Sequence, residues 1–188
     1  MTELPVLPLP IRTPRLLLRD FEPDDWRSVR TYNADPQFVR YLLWGPEDEQ
    51  GAHAFVDRCL AWAQERPRWR YELAVVRLAD GVLVGSCGLD LSSPDEASLG
   101  YGIAPAYWGA GYATEAARAL VSAAFQQLRL HRVTATCQPE NIASAHVLEK
   151  LGMTREGRLR RHDWQRDHWR DSYLYAVLED EWPAGSPA

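Results

Sequence analysis

The stretch YWGAGYATEA, residues 107–116, places two glycines directly before a helical pattern. Apolar residues then recur at helical spacing, at Ala117, Leu120, Val121, Ala124 and Leu128. The first N–H groups of a helix have no helical partners and carry about half a positive charge. Glycines before them let an anion approach the backbone closely. The stretch therefore predicts a phosphate-binding loop, with a simple tight turn into the helix as the alternative.

Three known phosphate loops can be compared with this stretch. A P-loop needs Gly-Lys-Ser/Thr, whereas the chain has Gly111-Tyr112-Ala113, which excludes it. A dinucleotide-binding turn needs a third small residue, where Thr114 stands here. It also needs an acidic residue about 20 positions after the glycines, at the end of the next strand. The next predicted strand, RVTATCQ at residues 132–138, has no acidic residue, which disfavours dinucleotide binding. The third kind, a loop for the pyrophosphate of an acyl-coenzyme A, depends on a resemblance described below.

The order of predicted elements indicates an α/β fold with a mixed sheet. Residues 12–21 predict a strand with Leu16 and Leu18 on one side, and Asp80-Gly81 between two β-rich runs predicts a hairpin. A helix over 47–66 is expected to bury a face made of Ala54, Phe55, Cys59 and Trp62. Residues 97–105 predict a strand, and a later helix is expected to begin at Asn141 and end before Gly152. Such an order is not a plain βαβ repeat.

Composition limits the function classes. The chain has 188 residues, which predicts a single domain over 1–188, with its core at about 12–178 and loose tails. A net charge of -5 disfavours nucleic-acid binding. No apolar run approaches the ~20 residues of a membrane span, and no secretory signal begins the chain, so we expect a cytoplasmic protein without a membrane partner. Cys59, Cys87 and Cys137 are too scattered for a disulfide framework or a zinc site.

Four segments together resemble one family. GYGIAPAYWGAGYATEA (100–116) and NIASAHVLEKLGM (141–153) are similar to the GNAT superfamily of N-acetyltransferases. TPRLLLRDFEPDD (13–25) and GRLRRHDWQRDHWRDSYLYAVL (157–178) also fit the branch that includes the ribosomal-protein N-terminal acetyltransferases. The family loop has the form Gln/Arg-x-x-Gly-x-Gly/Ala. Gly111 and Ala113 match it, and Trp108 stands where the polar residue is usual.

The resemblance implies acetyl-CoA as co-substrate and assigns its contacts. Main-chain groups of Tyr101, Gly102 and Ile103 would bind the pantetheine arm, at a bulge that splays this strand from residues 132–137. Asn141 would bond near the same arm, besides capping its helix. The pyrophosphate would lie on the N–H groups of Gly109, Ala110, Gly111, Tyr112, Ala113 and Thr114.

Acetyl transfer in this superfamily is usually direct, so the cysteines need no role. Many members use a tyrosine seven residues after the asparagine as acid, but Leu148 stands there. The branch pattern N-x-x-S offers Ser144 as the acid instead, with a local helix cap as the alternative role. The branch also points to Asp163 as the base. Its alternative is a solvated loop shared with Asp167 and Asp171.

The acceptor side is expected in the segment LLWGPEDEQ, residues 42–50. Trp44 and Glu47 could hold a cationic substrate by a cation–π contact and by charge. The alternative is that the acidic run forms the first turn of the next helix, where such charges are favourable. His162 and His168 lack metal-ligand spacing, and we expect no metal.

The expected activity is acetyl transfer from acetyl-CoA to a primary amine, with a protein N-terminal α-amine as the leading acceptor. One alternative is a small amine such as an aminoglycoside, a polyamine or an amino-acid-like compound. The other is an acyl-CoA-binding module without turnover. Because the superfamily often dimerises, a homodimer is one expected assembly.

Overall fold

The computed structural model describes residues 5–42 and 46–183, and within them one eight-stranded mixed sheet carries helices on both faces. The strands are β1 (Ile11–Arg12), β2 (Leu16–Asp20), β3 (Arg70–Arg77), β4 (Leu83–Ser93), β5 (Glu96–Ile103), β6 (Arg132–Cys137), β7 (Thr154–Gln165) and β8 (His168–Leu178). The helices are α1 (Trp26–Asn33), α2 (Glu49–Gln64), α3 (Tyr112–Ala123) and α4 (Ile142–Lys150). No helix in these ranges is long and apolar enough to cross a bilayer.

The strand order is β1-β2-β3-β4-β5-β6-β8-β7. All neighbouring pairs are antiparallel except β5 and β6, which run parallel. A parallel pair needs a crossover connection, and α3 supplies it. The predicted α/β class with a mixed sheet is confirmed.

Successive side chains along a strand point to opposite faces of the sheet, and each face has its own apolar core. On β3, Leu73 and Val75 face the core beneath α3 and α4, whereas Ala74 and Val76 face the core beneath α1 and α2. Leu16 and Leu18 are both fully buried in the α3 layer, as their spacing predicted. Even-numbered residues of β3 therefore point towards α1 and α2.

The predicted apolar face of α2 is wrong in part. Of the four residues expected, only Cys59 is buried, and Ala54 is exposed. The buried face consists of Ala52, Val56, Cys59 and Ala63. Small side chains let the helix approach the sheet, and the large rings at 55 and 62 lie at the margins of the contact.

A gap opens in the sheet between β5 and β6. These strands pair only where Glu96–Ser98 face Arg132–Thr134. The bulge expected at residues 101–103 is absent, because the β4–β5 register runs unbroken from Ala97 to Ile103. The gap arises instead because β6 stays paired with β8 over its whole length while β5 stays with β4.

Candidate functional site

The glycine loop has the backbone geometry of an anion cradle. Gly109 has φ 77° and Gly111 has φ 81°, in the left-handed region that glycine adopts without a steric penalty. The first helical bond of α3 runs from the Glu115 N–H to the Gly111 carbonyl, at 3.0 Å. The N–H groups of residues 112–114 therefore have no helical partner and point out of the helix end.

Arg15 holds this loop from the far end of the sequence. Its Nη1 donates to the Ala110 carbonyl at 2.9 Å, and its Nε donates to Glu115 at 2.6 Å. Burial alone would raise the pKa of Glu115, but hydrogen bonds from Thr13 and Arg15 outweigh it and lower the pKa. Arg15 thus balances an acidic side chain in the first turn of α3, beside the anion cradle. Sequence reasoning missed this contact, since nothing local links positions 100 residues apart.

A pair of hydroxyl groups connects β5 to α4. The Tyr101 hydroxyl lies 3.0 Å from the Ser144 Oγ and donates to the Ser144 carbonyl at 3.1 Å. Asn141 caps α4, accepting the Ser144 N–H at 3.2 Å. Burial raises the pKa of Tyr101, so its hydroxyl stays protonated. The structure therefore brings together three predicted site residues, and it buries Leu148 completely in the core.

Asp163 belongs to a polar cluster on the β7–β8 hairpin. Its Oδ2 accepts from the Ser172 hydroxyl at 3.0 Å and lies 3.1 Å from Nδ1 of His162. The side chain is 27% exposed, and is thus held in place yet open to solvent. Asp171 instead binds Arg158 and the Arg161 N–H, so Asp163 and Asp171 have different environments.

The start of the predicted acceptor segment, residues 42–50, meets the tip of the β7–β8 hairpin. A side-chain N–H of Gln165 donates to the Leu42 carbonyl, and Arg166 donates to the Val39 carbonyl at 2.8 Å. Gln165 also accepts from Gln138 at 2.7 Å, which ties the tip to the loop before α4. Trp44 lies outside the described residues.

The acidic run at 47–49 begins a helix. Asp48 caps α2 by accepting the Gly51 N–H at 3.0 Å, and Glu49 lies in the first turn. Glu47 accepts from the Asn33 side chain at 3.0 Å, and its own N–H donates to the Asn33 carbonyl. This is the alternative that the sequence had left open, and a substrate contact of Glu47 stays a prediction.

On the α1–α2 side, the sheet beside the gap is almost bare of side chains. Glu72 on β3 pairs with Gly88 on β4, which pairs with Gly100 on β5. A Cβ added to Gly88 would lie 2.3 Å from the Glu72 Oε2, so the carboxylate covers this glycine. A Cβ added to Gly100 would meet nothing within 4 Å. We call Gly88 and Gly100 the glycine floor.

Glu72 has an unusual environment for a carboxylate. Burial raises its pKa to about 7, against a weaker opposing hydrogen bond from Ser86. The side chain nevertheless keeps partial contact with solvent. Sequence reasoning missed Glu72, although a charged residue inside the apolar strand YELAVV, residues 71–76, was the available signal.

The comparisons with known proteins agree with this geometry. The model of the acetyltransferase (GNAT) domain matches residues 15–154. The uncharacterized N-acetyltransferase YnaD of Bacillus subtilis is 36% identical over 173 residues, which are 92% of this chain and 98% of that protein.

Solved structures show the same fold. A GNAT-family acetyltransferase from Bacillus anthracis superposes with a TM-score of 0.82 at 34% identity, covering 92% of this chain and 99% of that one. RimJ of Mycobacterium smegmatis, solved in complex with CoA-disulfide, superposes with a TM-score of 0.79 at 26% identity. The match covers 90% of this chain and 84% of RimJ. The family expected from the sequence is therefore confirmed. This chain belongs to the GNAT family of acetyltransferases and is an N-acetyltransferase.

Proposed function

We propose that this enzyme transfers an acetyl group from acetyl-CoA directly to the α-amine of a protein N-terminus. The observation that carries the donor assignment is the gap between β5 and β6, with the glycine loop following β5 and the Tyr101–Ser144 pair joining β5 to α4. The CoA-disulfide of the M. smegmatis RimJ complex supports the same donor.

The donor would bind along this gap. Its pyrophosphate would accept hydrogen bonds from the N–H groups of residues 109–114, where the α3 dipole favours negative charge. The main chain of residues 101–103 faces the gap and has no partner strand on the β6 side. It can therefore bond to the amides of the pantetheine arm, with Asn141 close by at the start of α4.

Two groups would handle the protons. Asp163 takes a proton from the incoming ammonium, directly or through a water, which leaves a neutral amine. The amine nitrogen bonds to the acetyl carbon and the C–S bond breaks. Ser144 gives its proton to the departing thiolate and regains one from the nitrogen. The Tyr101 hydroxyl, 3.0 Å away, orients the Ser144 Oγ.

The choice of an α-amine follows from the energy of deprotonation. An α-amino group has a pKa near ~7.7 and a lysine side chain one near ~10.4. At neutral pH the lysine amine therefore costs about 3.7 kcal/mol more to deprotonate. Because Asp163 is one methylene shorter than glutamate and partly solvated, it suits the acceptor that needs less help.

Release of free CoA thiol from acetyl-CoA tests the proposal. The acceptors are alanyl and seryl peptides with free N-termini, their N-acetylated forms, a polyamine and an aminoglycoside. We expect turnover with the free peptides only. Turnover confined to the small amines would show that the acceptor is a small molecule, and acetyl-CoA binding without turnover on any amine would contradict acetyl transfer.

Ser144→Ala is expected to lower kcat by about 100-fold, since a positioned acid contributes about that much. The Kd for acetyl-CoA should stay within about twofold, because the Asn141 cap uses the Ser144 backbone. Stopped-flow turnover and calorimetry measure the two quantities. Ser92→Ala, which changes an exposed serine on β4, is the control. An unchanged kcat would remove Ser144 from the mechanism.

Asp163→Asn is expected to lower kcat by about 10-fold or more with little effect on acetyl-CoA affinity. Asp167→Asn makes the same chemical change in the exposed hairpin turn, where Asn tolerates the left-handed backbone. Its kcat should stay within about twofold of wild type. Equal effects of the two variants would show that the hairpin needs its charge and not a base at position 163.

A further inference from the structure

We propose that Glu72 and the glycine floor form the subsite that receives the ammonium group of the acceptor. Glu72 supplies the negative charge, Gly88 lets its carboxylate lie close over the sheet, and Gly100 supplies the room. This inference rests on the proposed function and names a recognition residue for it. The ligand class is a primary ammonium on a slender chain, as at a peptide N-terminus.

The strand register places this subsite beside the donor gap. Glu72, Gly88 and Gly100 form one row across three adjacent strands, so their side-chain directions share the α1–α2 face. The carboxylate reaches over Gly88, and Gly100 lies one strand spacing further on, about 5 Å. Gly100 is also two residues past Ser98, the last β5 residue paired with β6. An ammonium on Glu72 would therefore stand at the mouth of the gap.

The Glu72 charge has no cation to balance it. Among residues 5–42 and 46–183, no arginine, lysine or histidine forms an ion pair or hydrogen bond with Glu72. The titratable groups that face it are Tyr32 from α1, Cys59 from α2 and Cys87 from β4. Burial raises the pKa of each, and Glu72 adds to the effect, so all three are neutral at neutral pH. A carboxylate that is largely removed from water, with a serine hydroxyl but no cation beside it, favours a cationic ligand.

A second polar group lies near Glu72. The Tyr32 hydroxyl is buried and has no hydrogen bond within the described structure. Its ring packs 4.8 Å from that of Phe38, measured between centroids. Phe38 in turn covers Gly102, where an added Cβ would lie 2.9 Å from the ring. Phe38, backed by the Tyr32 ring, thus borders the open space over Gly100, because Gly100 and Gly102 share one face of β5.

The decisive variant is Glu72→Gln, which keeps the shape and removes the charge. The acceptor is the tripeptide amide Ala-Ala-Ala with a free α-amine, and the assay follows CoA thiol release at pH 8. We expect KM for the peptide to rise about 20-fold or more, while kcat falls less than about threefold and the acetyl-CoA Kd is unchanged. A peptide KM within twofold of wild type would overturn the proposal.

Asp90→Asn is the matched control. Asp90 lies on the same face of β4, two residues from Gly88, but its carboxylate already faces Arg70 at 3.3 Å. Its removal should leave the peptide KM unchanged. If Asp90→Asn raised the peptide KM as much as Glu72→Gln does, the total negative charge of this face would explain both effects. That result would contradict a specific subsite at Glu72.

The pH dependence adds a readout that a purely structural role would not produce. The peptide KM of wild type should fall as the pH rises through about 7, where Glu72 ionises, and the Glu72→Gln variant should lack this step.

The stability of the folded protein should decrease over the same rise in pH. Because the pKa of Glu72 is higher in the folded than in the unfolded state, its ionisation lowers the stability of wild type as the pH rises from about 4.5 to 7. The Tm of Glu72→Gln should therefore exceed that of wild type at pH 8, and the two Tm values should be equal at pH 4.

The two proposals can fail separately. If no amine is acetylated, the proposed acceptor chemistry fails, but calorimetry of the same tripeptide amide on the CoA-saturated protein still tests the subsite. Binding to wild type that is at least about 10-fold weaker in Glu72→Gln supports it. Equal binding to both proteins, or binding to neither, contradicts it.

Discussion

Gly111→Asp is expected to raise the Kd for acetyl-CoA by about 100-fold or more in a protein that still folds. Gly111 precedes α3 with φ 81°, and an added Cβ would come no closer than 3.5 Å, to Nη2 of Arg15. Aspartate tolerates this backbone better than most residues, so the fold should survive. Its carboxylate would lie where the pyrophosphate is proposed to bind. Isothermal calorimetry with acetyl-CoA measures the loss.

Gly111→Asn separates charge from shape. Asparagine is nearly isosteric with aspartate and at least as tolerant of the left-handed backbone, so it adds the same bulk without the charge. We expect its Kd to rise about 10-fold at most. Equal Kd values for the two variants would mean that bulk and not charge excludes the ligand. Two unchanged Kd values would place the pyrophosphate elsewhere.

Gly100→Leu is expected to lower kcat/KM for the peptide acceptor by about 100-fold or more, with the acetyl-CoA Kd within about threefold. The open space over Gly100 can take the new side chain without disturbing the sheet. The leucine would then occupy the place proposed for the acceptor's ammonium group. Steady-state kinetics with Ala-Ala-Ala amide measures the effect, and thermal unfolding verifies that the variant is folded.

Gly100→Ala is the companion variant. A single methyl group meets nothing within 4 Å, so kcat/KM should fall less than about fivefold. A graded loss from alanine to leucine would support a subsite of limited volume. If Gly100→Leu acetylates the peptide as wild type does, the acceptor does not use the glycine floor.

Local features predicted from the sequence agree well with the structure. The glycines at 109 and 111 adopt positive φ, Asn141 caps α4, and Asp80-Gly81 connects β3 to β4. Each of these depends on a few consecutive residues, so a short pattern contains the physical cause. The mixed sheet also followed, because the order of elements determines which connections are hairpins and which is the crossover.

Contacts between distant segments were not predictable in the same way. Arg15 and Glu115 form an ion pair because β2 and α3 pack together. No pattern in the sequence around either residue indicates the other as its partner. Similarly, Glu72 in YELAVV could have been an exposed strand residue. Only the register with Gly88 and Gly100 shows that it covers a bare floor.

The sequence by itself determined the family, through motifs that resemble it, and the fold class and the place of the glycine loop, through local backbone preferences. Tertiary structure alone decided where the charges of the site lie relative to one another. Strand register sets Glu72 in one row with Gly88 and Gly100, and packing joins the β7–β8 hairpin to residues 39–42. A carboxylate becomes a candidate cation site only when its neighbours shield it from much of the water and offer no cation, and the neighbours of Glu72 come from β4, α1 and α2.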